Sequence, residues 1–180
     1  MRKLLSLCVL VVLISSSNGY GQSINKEAEE AFEKASFITL DAQSIYVFNS
    51  AIINFTKAIK LDPKYTNAYL NRGSTYNELK KYPEAIADFT KAIELDPKYV
   101  FAYNGRGAAY SALEKYPEAT ADYTKAIELD PKYADAYCNR GFAYGIQQKY
   151  AEAITDNTKA IELDPSMRLR TTGGALRITP

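Results

Sequence analysis

One phrase recurs along the chain at a constant spacing, and it restricts the fold more than any other feature of the sequence. The octapeptide TKAIELDP stands at 90–97, 124–131 and 158–165, and TKAIKLDP stands at 56–63, so each copy begins 34 residues after the one before. A fixed period of about 20–50 residues is typical of solenoids, in which each unit is one supersecondary element. The sequence therefore predicts a row of stacked units, each in contact mainly with its neighbours.

Within each unit the apolar residues follow helical spacing. In the first full unit, segments 66–79 and 82–94 both place apolar side chains on one helical face. Pro83 suits the first turn of the second segment, where its missing N–H is not needed. Pro97 disfavours helical geometry in the residue before it and so ends that helix. Each unit is predicted to contain a helix A, a short turn, a helix B and a second short turn.

Seven marker residues carry a resemblance to a known family. They are an aromatic residue, Gly, Tyr, Ala, an aromatic residue, Ala and Pro, at Tyr69, Gly73, Tyr76, Ala85, Phe89, Ala92, Pro97; Tyr103, Gly107, Tyr110, Ala119, Tyr123, Ala126, Pro131; and Tyr137, Gly141, Tyr144, Ala153, Asn157, Ala160, Pro165. Only Asn157 departs from the pattern. The pattern resembles the tetratricopeptide repeat (TPR). The resemblance implies an all-α fold: a right-handed solenoid of antiparallel helix pairs, with three full repeats and a degenerate N-terminal one.

The repeat period and the resemblance divide the chain into segments. A degenerate unit precedes the full repeats, with a helix A at roughly 24–38 and a helix B that carries the markers Ala51, Phe55 and Ala58. Gly173 and Gly174 interrupt any helix after the last repeat, so we expect a frayed or disordered tail. The alternative is that Met167, Leu169 and their neighbours, or a second molecule, cover the last helix B. The predicted segments are a signal peptide at 1–21, the degenerate repeat at 22–60, full repeats at 61–94, 95–128 and 129–162, and a C-terminal tail at 163–180.

The N-terminal segment has the features of a secretory signal. Arg2 and Lys3 precede an almost wholly apolar run at 4–14, and small residues then allow cleavage after Gly19 or after Gly21. The apolar run is shorter than the roughly 20 residues that span a bilayer. We therefore expect an exported TPR protein of bacterial type, in the periplasm or outside the cell, without membrane insertion after cleavage.

The composition argues against several classes of function. The 22 Lys and Arg residues nearly balance the 21 Asp and Glu residues, which gives no electrostatic reason to expect a nucleic-acid partner. Histidine is absent from the sequence, so neither a Ser-His-Asp triad nor a zinc site of the Cys/His type can be built. No glycine-rich phosphate-binding motif occurs. We expect no catalytic residue, no metal and no cofactor, and we interpret the chain as a non-enzyme.

Repeated residues also predict contacts between helices. Our hypothesis is that a recurring arginine of helix A pairs with a recurring aspartate of helix B in its own unit, although independent solvated charges remain an alternative. The mid-helix glycines of helix A indicate close approach of helix B, because glycine there costs about 1 kcal/mol relative to alanine. Most of the tyrosines recur at fixed positions, which favours a packing role. The residues concerned are Arg72, Arg106 and Arg140, Asp88, Asp122 and Asp156, and Gly73, Gly107 and Gly141 opposite Ala85, Ala119 and Ala153.

One face of helix A differs between units. In the TPR family this face lines a concave groove that binds peptides, and family members that bind acidic chaperone tails carry lysines there. Leu70 and Asp135 occupy the lysine positions here, so that clamp is missing. The resemblance implies a groove for an extended segment with one or two apolar anchors, formed by Asn67, Leu70, Asn71, Ser74, Asn77, Phe101, Asn104, Ala108, Ser111, Asp135, Cys138, Asn139 and Phe142.

Two functions follow as expectations. The first is a non-enzymatic interaction module that holds a protein or peptide partner in this groove. The alternative is a structural subunit of a cell-envelope assembly, docked through its C-terminal edge at Ile154, Ile161 and Leu163. Weak self-association through the uncapped last repeat remains open as well.

Overall fold

The computed structural model describes Glu30 and residues 45–167, and all regular structure in this part of the chain is helical. Glu30 is helical and exposed. The remaining helices are α1 (Ile45–Leu61), α2 (Thr66–Glu78), α3 (Tyr82–Leu95), α4 (Val100–Ala112), α5 (Tyr116–Leu129), α6 (Ala134–Ile146) and α7 (Tyr150–Leu163), followed by a 3₁₀ helix (Pro165–Met167). Within residues 45–167 no helix is both long and apolar enough to cross a bilayer.

The helices form a stack of pairs. The pairs α2/α3, α4/α5 and α6/α7 are the helix A and helix B of three repeats, and α1 is the helix B of the unit before them. Each helix packs against the one before it and the one after it. In addition α2 contacts α4, and α4 contacts α6, whereas the B helices of successive repeats approach each other less closely. The stack therefore curves with the A helices on its concave side, and the predicted all-α solenoid is confirmed.

A three-residue turn joins helix A to helix B in each repeat. In the first repeat the backbone N–H of Lys81 donates to the carbonyl oxygen of Tyr76 at 2.8 Å, which closes the turn. Lys80 adopts a left-handed backbone with a φ of 58°, and Glu114 and Gln148 do the same in the next two repeats. A left-handed residue after a helix end reverses the chain within few residues, so the two helices lie side by side.

The interior consists of small cores that lie between successive helices. Alanines of both helices are fully buried, and Phe89 of α3 fills the space between them at 1% exposure. A Cβ atom at Gly73 would lie 3.1 Å from the Phe89 ring and 3.3 Å from the carbonyl oxygen of Ala85. The predicted close approach of helix B to Gly73 is therefore confirmed. At Gly107 the nearest group is the ring of Tyr123, at 2.7 Å from the same hypothetical Cβ position.

The last repeat ends later than the sequence predicts. The disordered tail was expected to begin at residue 163, but Leu163 belongs to α7 and a 3₁₀ helix follows. Met167 is 5% exposed and stands where Tyr65, Tyr99 and Tyr133 precede the A helices. Its burial against α7 explains why this stretch is ordered. The signal peptide at 1–21, the helix predicted at 24–38 apart from Glu30, and the tail beyond residue 167 lie outside the described residues.

Candidate functional site

The same polar bridge joins neighbouring repeats three times. Arg106 donates from Nε to Oδ2 of Asp122 and from Nη2 to Oδ1 of Asp122, both at 2.8 Å. Its Nη1 donates to Oγ1 of Thr90, on the preceding helix B, at 3.1 Å. We call this arrangement the arginine bridge. Equivalent bonds connect Arg72 with Asp88 and Thr56, and Arg140 with Asp156 and Thr124. The predicted pairing of each arginine with the aspartate of its own repeat is confirmed.

The arginine bridge pairs the positively charged side chain of each helix A with an aspartate. The side chain of Asp122 is only 9% exposed, and its hydrogen bond raises the pKa of Arg106 above the usual value against the opposing effect of burial. The guanidinium of Arg106 also lies 5.8 Å from the ring centroid of Tyr103, within the range of a cation–π contact. The arginines of α2, α4 and α6 are therefore engaged within the stack and offer no ready cation to an acidic ligand.

Several asparagines predicted to face a ligand instead bond to the next repeat. The hydroxyl of Tyr99 donates to Oδ1 of Asn67. Asn104 donates from Nδ2 to the hydroxyl oxygen of Tyr133 at 3.2 Å and accepts from Nδ2 of Asn139 at 3.1 Å. We call this chain of contacts the asparagine–tyrosine ladder. Some of the asparagine hydrogen-bonding groups that were predicted to meet a partner thus connect neighbouring repeats instead.

Other predicted groove residues on α2 are also engaged. Asn71 donates to the carbonyl oxygen of Asn67 at 2.8 Å, and Ser74 donates to that of Leu70 at 3.0 Å. Asn77 donates to the carbonyl oxygen of Gly105 at 3.2 Å, while its buried Oδ1 has no hydrogen-bond partner. Leu70 is 8% exposed and belongs to a buried core. Leu70 therefore offers a partner little surface, unlike the apolar anchor expected from the sequence.

Apolar surface remains open on α4 and α6. Phe101 is 40% exposed, Phe142 is 57% exposed and Ile146 is 50% exposed. The ring of Phe101 makes edge-to-face contacts with Tyr99 and Tyr133, at centroid distances of 6.2 and 5.4 Å. Phe101 is thus held in position by the ladder tyrosines while its outer surface faces solvent.

A shallow pocket lies between the second and third repeats. Its volume is about 440 Å³, and it is lined by Ala108, Ser111, Ala112, Glu114, Tyr116, Tyr123, Asn139 and Phe142. Burial raises the pKa of the Tyr123 phenol above its ordinary value. Four of the predicted groove residues meet in this pocket: Ala108, Ser111, Asn139 and Phe142. The lining combines small side chains of α4 with the ring of Phe142 on α6.

The remaining predicted residues lie on the same three helices but not in this pocket. They are Asn67, Leu70, Asn71, Ser74 and Asn77 on α2, Phe101 and Asn104 on α4, and Asp135 and Cys138 on α6. Cys138 is half-buried. Within residues 45–167, no cluster of three His, Cys, Asp or Glu side chains is placed to hold a metal ion.

Comparison with known proteins agrees with this geometry. A tetratricopeptide repeat profile matches residues 66–99 and 134–167, a TPR repeat profile matches 111–148, and a further tetratricopeptide repeat profile matches 89–121. Together these profiles span 66–167, more than half of the 180 residues. No curated protein matches the chain.

Solved structures with the same fold include three at moderate identity. A crystal structure of MamA is 26% identical with a TM-score of 0.68, over 77% of this chain and 79% of that one. The first TPR of Spaghetti (RPAP3) bound to the HSP90 peptide SRMEEVD is 30% identical with a TM-score of 0.65, over 71% of this chain and 99% of that one. The Arabidopsis OM64 TPR domain is 33% identical with a TM-score of 0.63, over 66% of this chain and 95% of that one. With profiles, fold and repeated contacts in agreement, the chain belongs to the tetratricopeptide repeat family.

Proposed function

We propose that this chain is a non-enzymatic interaction module that binds an extended segment of a partner protein on the concave face of its A helices. The observation that carries the proposal is the exposure of Phe101 and Phe142 on that face, at 40% and 57%. Phe142 borders a pocket of about 440 Å³, roomy enough for one or two partner side chains. A similar TPR domain with a bound HSP90 peptide supports a peptide as the kind of ligand.

The charge of this face argues for a partner segment that is neutral or basic. The peptide SRMEEVD in the similar structure is acidic. Here the arginines of α2, α4 and α6 are held by aspartates, and the positions of the family's clamp lysines carry Leu70 and Asp135. An acidic segment would lose hydration without gaining a charged partner on these helices. Apolar anchors at Phe101 and Phe142 therefore supply most of the binding free energy.

The proposed binding is tested with a random-peptide display library panned on residues 22–180. Synthetic copies of enriched peptides are then titrated against Phe101→Asn plus Phe142→Ser. These replacements are the residues that the first repeat carries at the same positions, Asn67 and Ser74, so the fold should tolerate them. Affinity is expected to fall about tenfold or more, the effect of losing roughly 1.4 kcal/mol.

The control is Ile53→Ala, which removes an exposed apolar side chain (69% exposed) from α1. This variant is expected to bind the same peptides as tightly as the parent protein. If the Phe101/Phe142 variant retains full affinity, the groove placement is wrong. If enriched peptides are predominantly acidic, the charge argument is wrong even where the groove placement holds.

We also propose that the protein works after export, in the periplasm or outside the cell. The basic N-terminus, the apolar run at 4–14 and the small residues before Gln22 support cleavage of a signal peptide. Expression of the full chain in a Gram-negative host should give a protein in the periplasmic fraction that begins at Tyr20 or Gln22. Recovery of uncleaved protein from the cytoplasm would argue against export.

A second candidate function rests on the edge of the last repeat. Ile154 on α7 is 67% exposed, which supports docking of an envelope subunit on this edge. Pull-down from an envelope fraction with Ile154→Ser and with the Phe101/Phe142 variant separates the two functions. A partner lost only with Ile154→Ser would favour the structural subunit, and one lost only with the Phe101/Phe142 variant would favour the groove.

A further inference from the structure

One charged side chain lines the pocket between the second and third repeats. Among the lining residues only Glu114 carries a group that is ionised near neutral pH, and the lining contains no Lys or Arg. Glu114 is exposed, and within residues 45–167 its carboxylate takes part in no ion pair. The pocket therefore presents a negative charge to a group that enters it.

The backbone of the turn after α4 sets the place of this carboxylate. Glu114 has a left-handed backbone with a φ of 59°, as Lys80 and Gln148 have at 58° and 61°. The N–H of Glu114 donates to the carbonyl oxygen of Ser111 at 3.0 Å, which ties the turn to the end of α4. The three full repeats thus share one turn conformation, and only the second repeat carries an acid at this position.

Aromatic side chains border the same pocket. The exposed Phe142 and the half-buried Tyr116 both line it. One period earlier, at the junction of the first and second repeats, Ala108 stands in place of Phe142 and Lys80 in place of Glu114. Of the two junctions between full repeats, one therefore combines an exposed aromatic ring with a carboxylate.

This combination suits a positively charged side chain. A cation is attracted to the face of an aromatic ring, and the methylene groups of Lys and Arg pack on apolar surface while their charge stays in water. We propose that the pocket is a subsite for a Lys or Arg side chain of the bound partner segment, with its stem against Phe142 and Tyr116 and its charge at Glu114. The subsite rests on the proposed function, since the segment reaches the pocket along the concave face.

The position of the pocket on α4 predicts a spacing in the partner. Phe101 and Ala112 lie about three turns apart on one side of α4, a separation of about 16 Å at 1.5 Å per residue. An extended chain covers about 3.3 Å per residue, so about five residues span this distance. A partner segment should therefore carry an apolar residue for Phe101 and a basic residue about five positions away.

The test titrates residues 22–180 with a capped serine peptide that has lysine at its centre and a leucine five positions away on each side. Two matched peptides carry norleucine or glutamate in place of the lysine. Binding is measured from the amide resonances of α4 and α6. At low salt the lysine peptide is expected to bind about fivefold more tightly than the norleucine peptide, near the upper limit for an exposed ion pair. The glutamate peptide should bind most weakly, and added salt should reduce these differences.

Two variants of Glu114 come from the chain itself. Glu114→Gln and Glu114→Lys introduce the residue types of Gln148 and Lys80, which have the same backbone conformation in their turns. Both variants should lose the preference for lysine over norleucine, and Glu114→Lys should favour the glutamate peptide instead. The control is Glu118→Gln, which removes the same charge from an exposed residue outside the pocket lining and should keep the preference.

Equal affinity for the lysine and norleucine peptides would overturn the subsite, as would a lysine preference that survives Glu114→Gln. Phe101→Asn separates the subsite from the groove, because it should weaken the three peptides by the same factor and leave the lysine preference intact. A preserved preference with no loss of affinity in Phe101→Asn would support the subsite and contradict the groove placement. Absence of binding by the three peptides would overturn the subsite, while the display library tests the groove independently.

Discussion

Removing one member of the arginine bridge is expected to destabilise the stack by more than a surface salt bridge would. The side chains of Arg106 and Asp122 are only 19% and 9% exposed. Loss of one partner leaves the other charge largely desolvated, which costs about 3–5 kcal/mol for a fully buried pair. Some solvent still reaches Arg106, so we expect Asp122→Leu and Arg106→Met each to lower the free energy of unfolding by about 2 kcal/mol.

Removing both charges together should cost much less than the two single changes combined. A buried ion pair replaced by apolar residues of similar volume is often close to neutral. We therefore expect Arg106→Met plus Asp122→Leu to lose only about 1–2 kcal/mol, mainly from the broken bond to Thr90. With two single losses of about 2 kcal/mol each, the coupling energy between Arg106 and Asp122 is about 2–3 kcal/mol, at the upper end of values for residues in contact.

The assay is urea unfolding at neutral pH followed by far-ultraviolet circular dichroism. Repeat proteins can unfold one unit at a time, so amide exchange of α4 and α5 should accompany it. Thr90→Val is the matched control, because it removes one bond at 3.1 Å and leaves the charged pair intact, with an expected loss of about 1 kcal/mol. A coupling energy within about 0.5 kcal/mol of zero would refute the bridge and favour independent solvated charges.

Two further predictions concern packing and pH. Gly105→Ala should destabilise the protein by about 1–3 kcal/mol, because its Cβ would lie 2.6 Å from the Phe89 ring. A Cβ at Gly145 would meet nothing within 4 Å, so Gly145→Ala should stabilise α6 by up to about 1 kcal/mol. Equal effects of the two changes in thermal unfolding would contradict this reasoning. Burial raises the pKa of the Tyr99 and Tyr123 phenols, so the stability that depends on their protonation is complete below pH about 10 and is lost as pH rises further. Above pH about 10, the free energy of unfolding should fall less steeply with pH in Tyr99→Phe than in the parent protein. An equal slope in the two proteins would show that ionisation of Tyr99 does not cause this loss of stability.

The sequence predicted the parts of the fold that repeat. The 34-residue period, the proline positions and the apolar spacing were enough to predict the helix pairs. The recurrence of Arg and Asp suggested the pairing of Arg106 with Asp122 but left independent solvated charges as an alternative. The contact with Thr90 was missed, although its signal was present. Thr90 stands 16 residues before Arg106, and Asp122 stands 16 residues after it. Two equal spacings that recur in every repeat indicate one three-residue contact.

The groove was harder to predict, because variation between repeats has two physical causes. Asn104 and Asn139 differ from some of their counterparts and still bond to each other across two repeats. Leu70 also varies in the period, yet it is buried in the core. Side-chain type does not reveal whether a varying residue meets a partner or the neighbouring helix. The exposed fractions of the Phe101 and Phe142 side chains show that these two varying residues are open to a partner, unlike the buried Leu70.

Selective binding of a partner at one position along the stack must depend on residues that do not recur in every repeat. The arginine bridge recurs in all three full repeats, and buried alanines recur with it, so these residues do not distinguish one position along the concave face from another. Phe101 and Phe142 have no aromatic counterpart, since the other repeats carry Asn or Asp at the first position and Ser or Ala at the second. Phe101 lies on the second repeat and Phe142 on the third. A partner segment should therefore bind toward this end of the concave face, while the first repeat mainly supports the stack.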